Sequence, residues 1–153
     1  MSELGQPMVA LESRLIGLFA AVAARAVVAE TFDAIAREAE QLGARTTAGL
    51  ARRLLVQDAL LSGTSRDVPD EPALDVVEAW ALDLENGALA AGGDARVFAA
   101  AAAEWETLGH TAFHARALTW AGEEARAAEI LDVLKSPPGL IEQWRAQLDA
   151  VRR

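Results

Sequence analysis

The chain has 153 residues, no cysteine and a formal net charge of −9, so we expect one domain whose core needs no disulfides. Without cysteine, thiolate zinc sites and cysteine nucleophiles are excluded. Nucleic-acid affinity comes mainly from cationic side chains, so this acidic chain is not expected to bind DNA or RNA directly. Its 35 alanines indicate helices that pack closely on small side chains.

The apolar segment 15–29 predicts a buried amphipathic helix and no membrane contact. It is too short to span about 30 Å of hydrocarbon. It also contains Arg25, and Glu3 and Glu12 precede it where a signal peptide carries positive charge. Together with the missing cysteine, this is compatible with a cytoplasmic location.

Apolar residues recur at helical spacing nearly everywhere, and no stretch alternates as a strand does. The first predicted helix covers about 7–27 and the second about 29–42. Thr46 or Thr47 is predicted to cap the third helix, which ends at Gly63. The pattern continues through five more helices, eight in all.

The turn-rich segment 63–71 is the predicted linker between two lobes, about 1–62 and 72–153. Pro72 is predicted to open the fourth helix, because proline is favoured at a first helical position. The inward stripe of that helix is predicted to be Leu74, Val77, Ala81, Leu84, Ala88 and Ala91. Asp94 is predicted to cap the fifth helix and Gly109 to end it.

Helices joined by such short turns lie antiparallel to their neighbours, and none is apolar on all sides. The predicted fold class is therefore all-α. The pattern favours antiparallel helical hairpins arranged as an α-solenoid or a compact helical array, and a closed bundle remains an alternative.

One segment occurs twice. Residues 32–43 and 98–109 are identical at seven of twelve positions, at an offset of 66 residues. That offset is close to twice the roughly 34-residue period of tetratricopeptide repeats, and indicates stacked helix pairs.

The second copy also carries a family resemblance. Phe98, Glu104, Trp105, Leu108 and Gly109 are followed by small and apolar residues at Ala115, Ala117, Leu118, Gly122, Ala127, Ala128 and Leu131. This pattern resembles the tetratricopeptide-like repeats of large ATP-dependent LuxR-type bacterial transcription regulators and related signalling ATPases. The resemblance covers about 72–135 and, more faintly, 29–62.

The resemblance implies a sensor-repeat module that contributes to regulation through a partner. This sequence carries neither the nucleotide-binding motif nor the DNA-binding helix-turn-helix of the large regulators. It also departs from the repeat signature at Ala112, where tyrosine is expected, and at Gly109, which is predicted to end a helix instead of lying within one.

Metal chemistry has few candidates. His110 and His114 are the only histidines and stand four residues apart, and Glu106 lies four residues before His110. Two histidines so spaced share one face of a continuous helix, but Gly109 is predicted to interrupt this one. Further ligands would have to come from Glu30, Asp33, Glu38 or Glu104. We predict no metal and no cofactor, with a ferritin-like metalloprotein or oxidoreductase as the alternative.

No catalytic residue is predicted. The paired carboxylates are expected on solvated helix faces, where nothing shifts their pKa; they are Glu38/Glu40, Asp83/Glu85 and Glu123/Glu124. A pocket for a small apolar ligand, lined by Phe19, Phe32 and Phe98, is a further alternative.

Two features indicate partner binding. Arg45, Arg52 and Arg53 form a compact basic cluster suited to an acidic peptide or a phosphate. Trp80 lies beside the stripe of its helix and is predicted to be a half-buried anchor of a groove or interface. The other three tryptophans, which are expected in the core, are Trp105, Trp120 and Trp144.

We therefore predict a bacterial regulatory or adaptor protein without catalysis that holds a protein or peptide in a groove. Trp80 and the arginine cluster are its predicted anchors. Self-association into a homo-oligomer is the competing interpretation, since the exposed apolar edges at either end of a short helical array need capping.

Overall fold

The computed structural model describes residues 29–136 and 138–153, and every structural statement below concerns these residues. They form seven helices: α1 Ala29–Gln41, α2 Arg45–Ser62, α3 Val77–Ala90, α4 Ala95–Leu108, α5 Thr111–Trp120, α6 Glu124–Leu134 and α7 Leu140–Arg152. No strand occurs among them, which confirms the all-α class. The predicted helix at about 7–27 lies outside the described residues.

Consecutive helices from α1 to α6 pack against one another. The closing helix α7 lies mainly against α5 and α2, and it also touches α3 and α6. The core between the helices is built largely from alanine and leucine, with the buried aromatic rings of Phe32, Phe98, Trp105, Phe113, Trp120 and Trp144. Within the described part of the chain, none of the helices combines the length and apolarity needed to cross a membrane.

The two copies of the repeated segment form α1 and α4 and take up matching positions. Phe32 and Phe98 are both buried, and each copy ends in a glycine with left-handed backbone, φ 74° at Gly43 and 75° at Gly109. These glycines end the helices as predicted, because residues with a Cβ rarely adopt positive φ. Each copy packs against the helix that follows it.

Of the two predicted helix N-caps, the one of α4 is confirmed and the one of α2 is wrong. Asp94 Oδ1 accepts a hydrogen bond from the Arg96 N–H at 2.9 Å, so Asp94 caps α4 as predicted. Neither Thr46 nor Thr47 caps α2, which already begins at Arg45 without a side-chain cap.

The predicted helix start at Pro72 is wrong, since α3 begins only at Val77. The Pro72 carbonyl accepts a hydrogen bond from Arg53 Nη2 at 2.9 Å, and this contact holds the linker against α2. The predicted stripe is wrong at Val77, which is 40% exposed, and at Ala91, which is exposed just beyond the end of α3. The side of α3 that is buried carries Ala79, Ala81, Leu82, Glu85, Asn86, Ala88 and Leu89.

The Gly92-Gly93 turn offers a matched pair of substitutions. Both glycines have positive φ, 100° and 85°, so alanine at either is expected to cost about 1–2 kcal/mol of unfolding free energy. At Gly93 a new Cβ would also lie 3.0 Å from Leu148 Cδ1 and 3.1 Å from Arg152 Nε, whereas at Gly92 it would meet nothing within 4 Å. Urea denaturation should therefore show Gly93→Ala to be the more destabilising, by about 1 kcal/mol. Equal losses would contradict the close approach of α7.

Candidate functional site

A network of buried polar side chains joins α2, α3, α4 and α5 at the centre of the molecule. Glu85 Oε1 accepts hydrogen bonds from Gln57 Nε2 at 3.1 Å and Arg116 Nη2 at 3.4 Å. Glu85 Oε2 accepts from Trp105 Nε1 at 3.2 Å. Arg116 Nη2 also donates to Gln57 Oε1 at 2.5 Å. All four side chains are at most 1% exposed, so the network is shielded from solvent.

The Arg116 guanidinium lies between two aromatic rings. Its central carbon is 4.5 Å from the ring centroid of Phe113 and 4.5 Å from that of Trp120. At these distances the ring faces attract the cation, more strongly where water is excluded. The two rings and Glu85 thus stabilise a charge that burial otherwise disfavours.

Burial sets the protonation of Glu85. Removal from water raises the pKa of Glu85 above its ordinary value of 4.5, while the Arg116 charge and the three donated hydrogen bonds oppose that rise. Burial also lowers the pKa of Arg116, although an arginine stays protonated at neutral pH. The prediction that Glu85 lies on a solvated face is wrong.

This network joins four helices, and neither Glu85 nor Arg116 is more than 1% exposed to solvent. The sequence indicates the burial of both residues through their spacing from apolar core positions. Glu85 stands three residues after Leu82 and four before Leu89, and Arg116 stands three residues after Phe113 and four before Trp120.

Two of the three arginines of the predicted basic cluster form ion pairs with other residues of the chain. Arg53 is 2% exposed and donates to Asp83 Oδ1 at 2.9 Å and to the Gly49 carbonyl at 3.1 Å, besides its bond to Pro72. Arg52 pairs with Glu40 and, at 3.0 Å, with Glu71.

Arg45 is the one member of the basic cluster without an ion pair to a described residue. It lines a cleft of about 160 Å³ together with Arg52 and Leu74. The structure therefore leaves Arg45 as the member of this cluster whose charge is free for a partner.

The candidate metal ligands are only partly brought together. His114 Nε2 lies 3.2 Å from Glu106 Oε2, but the His110 ring lies edge-on to Trp105 with the centroids 5.5 Å apart. His110 precedes α5 and Gly109 ends α4, so the two histidines do not share one continuous helix. Burial lowers the pKa of His114 below its ordinary value despite the nearby Glu106. Across residues 29–136 and 138–153, no group of three His, Asp or Glu side chains could hold a metal ion.

Two of the three residues predicted to line a ligand pocket lie in the core. Phe32 is 2% exposed and Phe98 is fully buried, and both belong to the packed core. Phe19 lies outside the described residues.

The predicted core positions of three tryptophans are confirmed, and Trp80 is more exposed than the half-buried position predicted for it. Trp105, Trp120 and Trp144 are at most 1% exposed, whereas Trp80 on α3 is 58% exposed. Val77, one turn earlier on the same helix, is 40% exposed, and Leu84, one turn later, is half-buried. Val77, Trp80 and Leu84 form an apolar strip that we call the Trp80 surface.

No protein-family model, curated protein or solved structure matches this chain. The resemblance to tetratricopeptide-like repeats therefore stays a prediction from the residues quoted above.

Proposed function

We propose that this chain is a non-catalytic helical module that binds another protein or a peptide through the Trp80 surface. The observation that carries the proposal is the 58% exposure of Trp80 in a chain whose three other tryptophans are buried. Tryptophan is among the side chains that contribute most when a partner covers them. A large apolar ring left in water is thus a source of binding free energy.

The acidic residues next to the Trp80 surface in sequence indicate the chemistry of the partner. Asp75, two residues before Val77, is exposed and forms no ion pair with a described residue, whereas Asp83, three residues after Trp80, is neutralised by Arg53. A complementary surface would offer an apolar pocket flanked by lysine or arginine. A second copy of this chain, with a net charge of −9, fits less well than a basic partner.

This charge pattern changes the expected partner. The arginine cluster favours an acidic peptide, but Arg52 and Arg53 are occupied within the fold and Arg53 is buried. We therefore assign the main contact to Trp80, with Arg45 as the only member of the cluster left to take part.

The matching environments of α1 and α4 support a helical-repeat architecture of tetratricopeptide type. Both copies bury their phenylalanine, end in a left-handed glycine and pack against the next helix. We propose a cytoplasmic role in a bacterial regulatory assembly, in which the module acts only through its partner.

Affinity capture from the cells that produce the chain tests this function. Trp80→Ala is expected to lose the captured partner, because it removes the largest exposed apolar side chain at the proposed contact. Val133→Ala is the matched control, since Val133 is 82% exposed on α6 and away from the Trp80 surface.

Both variants should unfold within about 0.5 kcal/mol of the unmodified chain, because both positions are exposed. Retention of the same partner by Trp80→Ala, or an equal loss with Val133→Ala, would overturn the proposal. If the only protein captured were a second copy of this chain, and Trp80→Ala lost it, the Trp80 surface would be a self-association surface.

A further inference from the structure

A cleft of about 450 Å³ lies where the C-terminal ends of α2, α3 and α7 meet. This volume falls within the roughly 300–1,000 Å³ of small-molecule sites. Leu60 and Leu89, both buried, form part of its wall, and the half-buried Leu61 and Val151 extend the apolar lining. The cleft is thus open to solvent, and its lining combines these apolar side chains with polar and charged groups.

The charged residues of this cleft all have the same sign. Arg66, Arg152 and Arg153 line it, and no aspartate or glutamate of the described residues does. We call it the arginine cleft. Its charge contrasts with the net −9 of the chain. Asp67 and Asp149 are close in sequence but do not line the cleft.

These arginines are not neutralised within the fold. Seven other arginines of the described residues form ion pairs with carboxylates, but none of the three in the cleft does. The Arg66 guanidinium donates no hydrogen bond to a described residue, and Arg153 donates one, to the Asp149 carbonyl at 3.4 Å. Their positive charge is therefore available to a ligand.

Helix capping does not account for Arg66. At the end of α2, the Ala59 carbonyl already accepts the N–H groups of Thr64 at 3.0 Å and Ser65 at 3.2 Å. Arg152 Nη2 does donate to the Gly93 carbonyl at 2.7 Å, and this bond holds its guanidinium beside the cleft.

We propose that the arginine cleft binds a small amphipathic anion, a carboxylate with an apolar chain. A carboxylate accepts charge-assisted hydrogen bonds from guanidinium groups. The apolar chain would cover the half-buried Leu61 and Val151 and remove their remaining exposed surface from water. The proposal does not depend on the Trp80 surface.

Isothermal titration calorimetry with octanoate tests the site. We expect one octanoate per chain, and no comparable binding of 1-octanol, which lacks the charge, or acetate, which lacks the chain. The proposal would be overturned if 1-octanol bound as tightly as octanoate. It would also be overturned if octanoate did not bind with a Kd on the order of 1 mM or lower.

A charge-matched pair of double variants localises the binding. Arg66→Gln with Arg153→Gln keeps the Arg152 bond to Gly93 and should weaken octanoate binding about tenfold or more. Arg37→Gln with Arg126→Gln removes the same charge from exposed sites elsewhere and should leave the affinity unchanged. Circular dichroism confirms that both are folded. An unchanged affinity in the first variant, or an equal loss in the second, would contradict the site.

Discussion

Replacing Arg116 with methionine is expected to lower the free energy of unfolding by about 3–5 kcal/mol. The substitution keeps much of the apolar stem but leaves Glu85 in the core without its cation. It also ends the contacts of the guanidinium with Phe113 and Trp120. With a urea m-value of about 2 kcal/mol/M, the unfolding midpoint should fall by roughly 2 M.

The control for this loss is an arginine whose ion pair lies on the surface. Arg145→Met breaks the bidentate pair of Arg145 with Glu124, where water takes over the solvation of both groups. Its midpoint should stay close to that of the unmodified chain. If Arg116→Met and Arg145→Met had the same midpoint, the buried pair would not be holding the helices together.

The second large effect is a pH dependence that comes from Glu85. Its pKa is raised in the folded state above the ordinary 4.5, so the folded chain takes up this proton more readily than the unfolded chain. The contribution of Glu85 to stability is therefore greatest below pH 4.5 and falls as the pH rises through the raised pKa. The slope is at most about 1.4 kcal/mol per pH unit.

The measurement compares the unmodified chain with Glu85→Gln in urea across a pH series. Glutamine does not titrate, so the difference between the two unfolding free energies isolates Glu85 from carboxylates such as Asp94 and Glu124. Their pKa values are lowered by hydrogen bonds from Arg96 and Arg145, and their effect on stability has the opposite sign. A difference that rises with pH would mean that Arg116 outweighs the burial of Glu85.

Helix boundaries were predictable where a local rule determined them. The left-handed glycines Gly43 and Gly109 ended α1 and α4, and the Asp94 cap started α4, because each depends on a single residue type. The repeated segment likewise predicted matching buried positions for Phe32 and Phe98.

The start of α3 was not predictable by such rules. Pro72 is suited to a first helical position, but its carbonyl accepts a tertiary hydrogen bond from Arg53, and the helix begins only at Val77. The burial of Glu85 and Arg116 was missed for a related reason. Their spacing from apolar core positions indicates burial, but charged residues are solvated by default, and the partner on a distant helix that outweighs this default is seen only in the structure.

The candidate sites were likewise predictable where they depend on local sequence and not where they depend on tertiary contacts. Trp80 was found because its offset from the apolar stripe is local, whereas the role of Arg53 depends on Gly49, Pro72 and Asp83 and required the structure. The arginine cleft brings together Arg66 and Arg152, which are distant in sequence, and no pattern in the chain indicated it.

The most direct test compares partner capture by two variants, Glu85→Gln and Trp80→Ala. It asks whether the partner binds at the Trp80 surface while the buried network only stabilises the fold. Glu85→Gln removes a buried charge but keeps a similar shape, and Trp80→Ala changes only an exposed side chain. With both variants shown to be folded by circular dichroism, we predict that Glu85→Gln retains the partner and Trp80→Ala loses it. A folded Glu85→Gln variant without the partner, beside a Trp80→Ala variant that keeps it, would contradict the account and make the buried network the functional site.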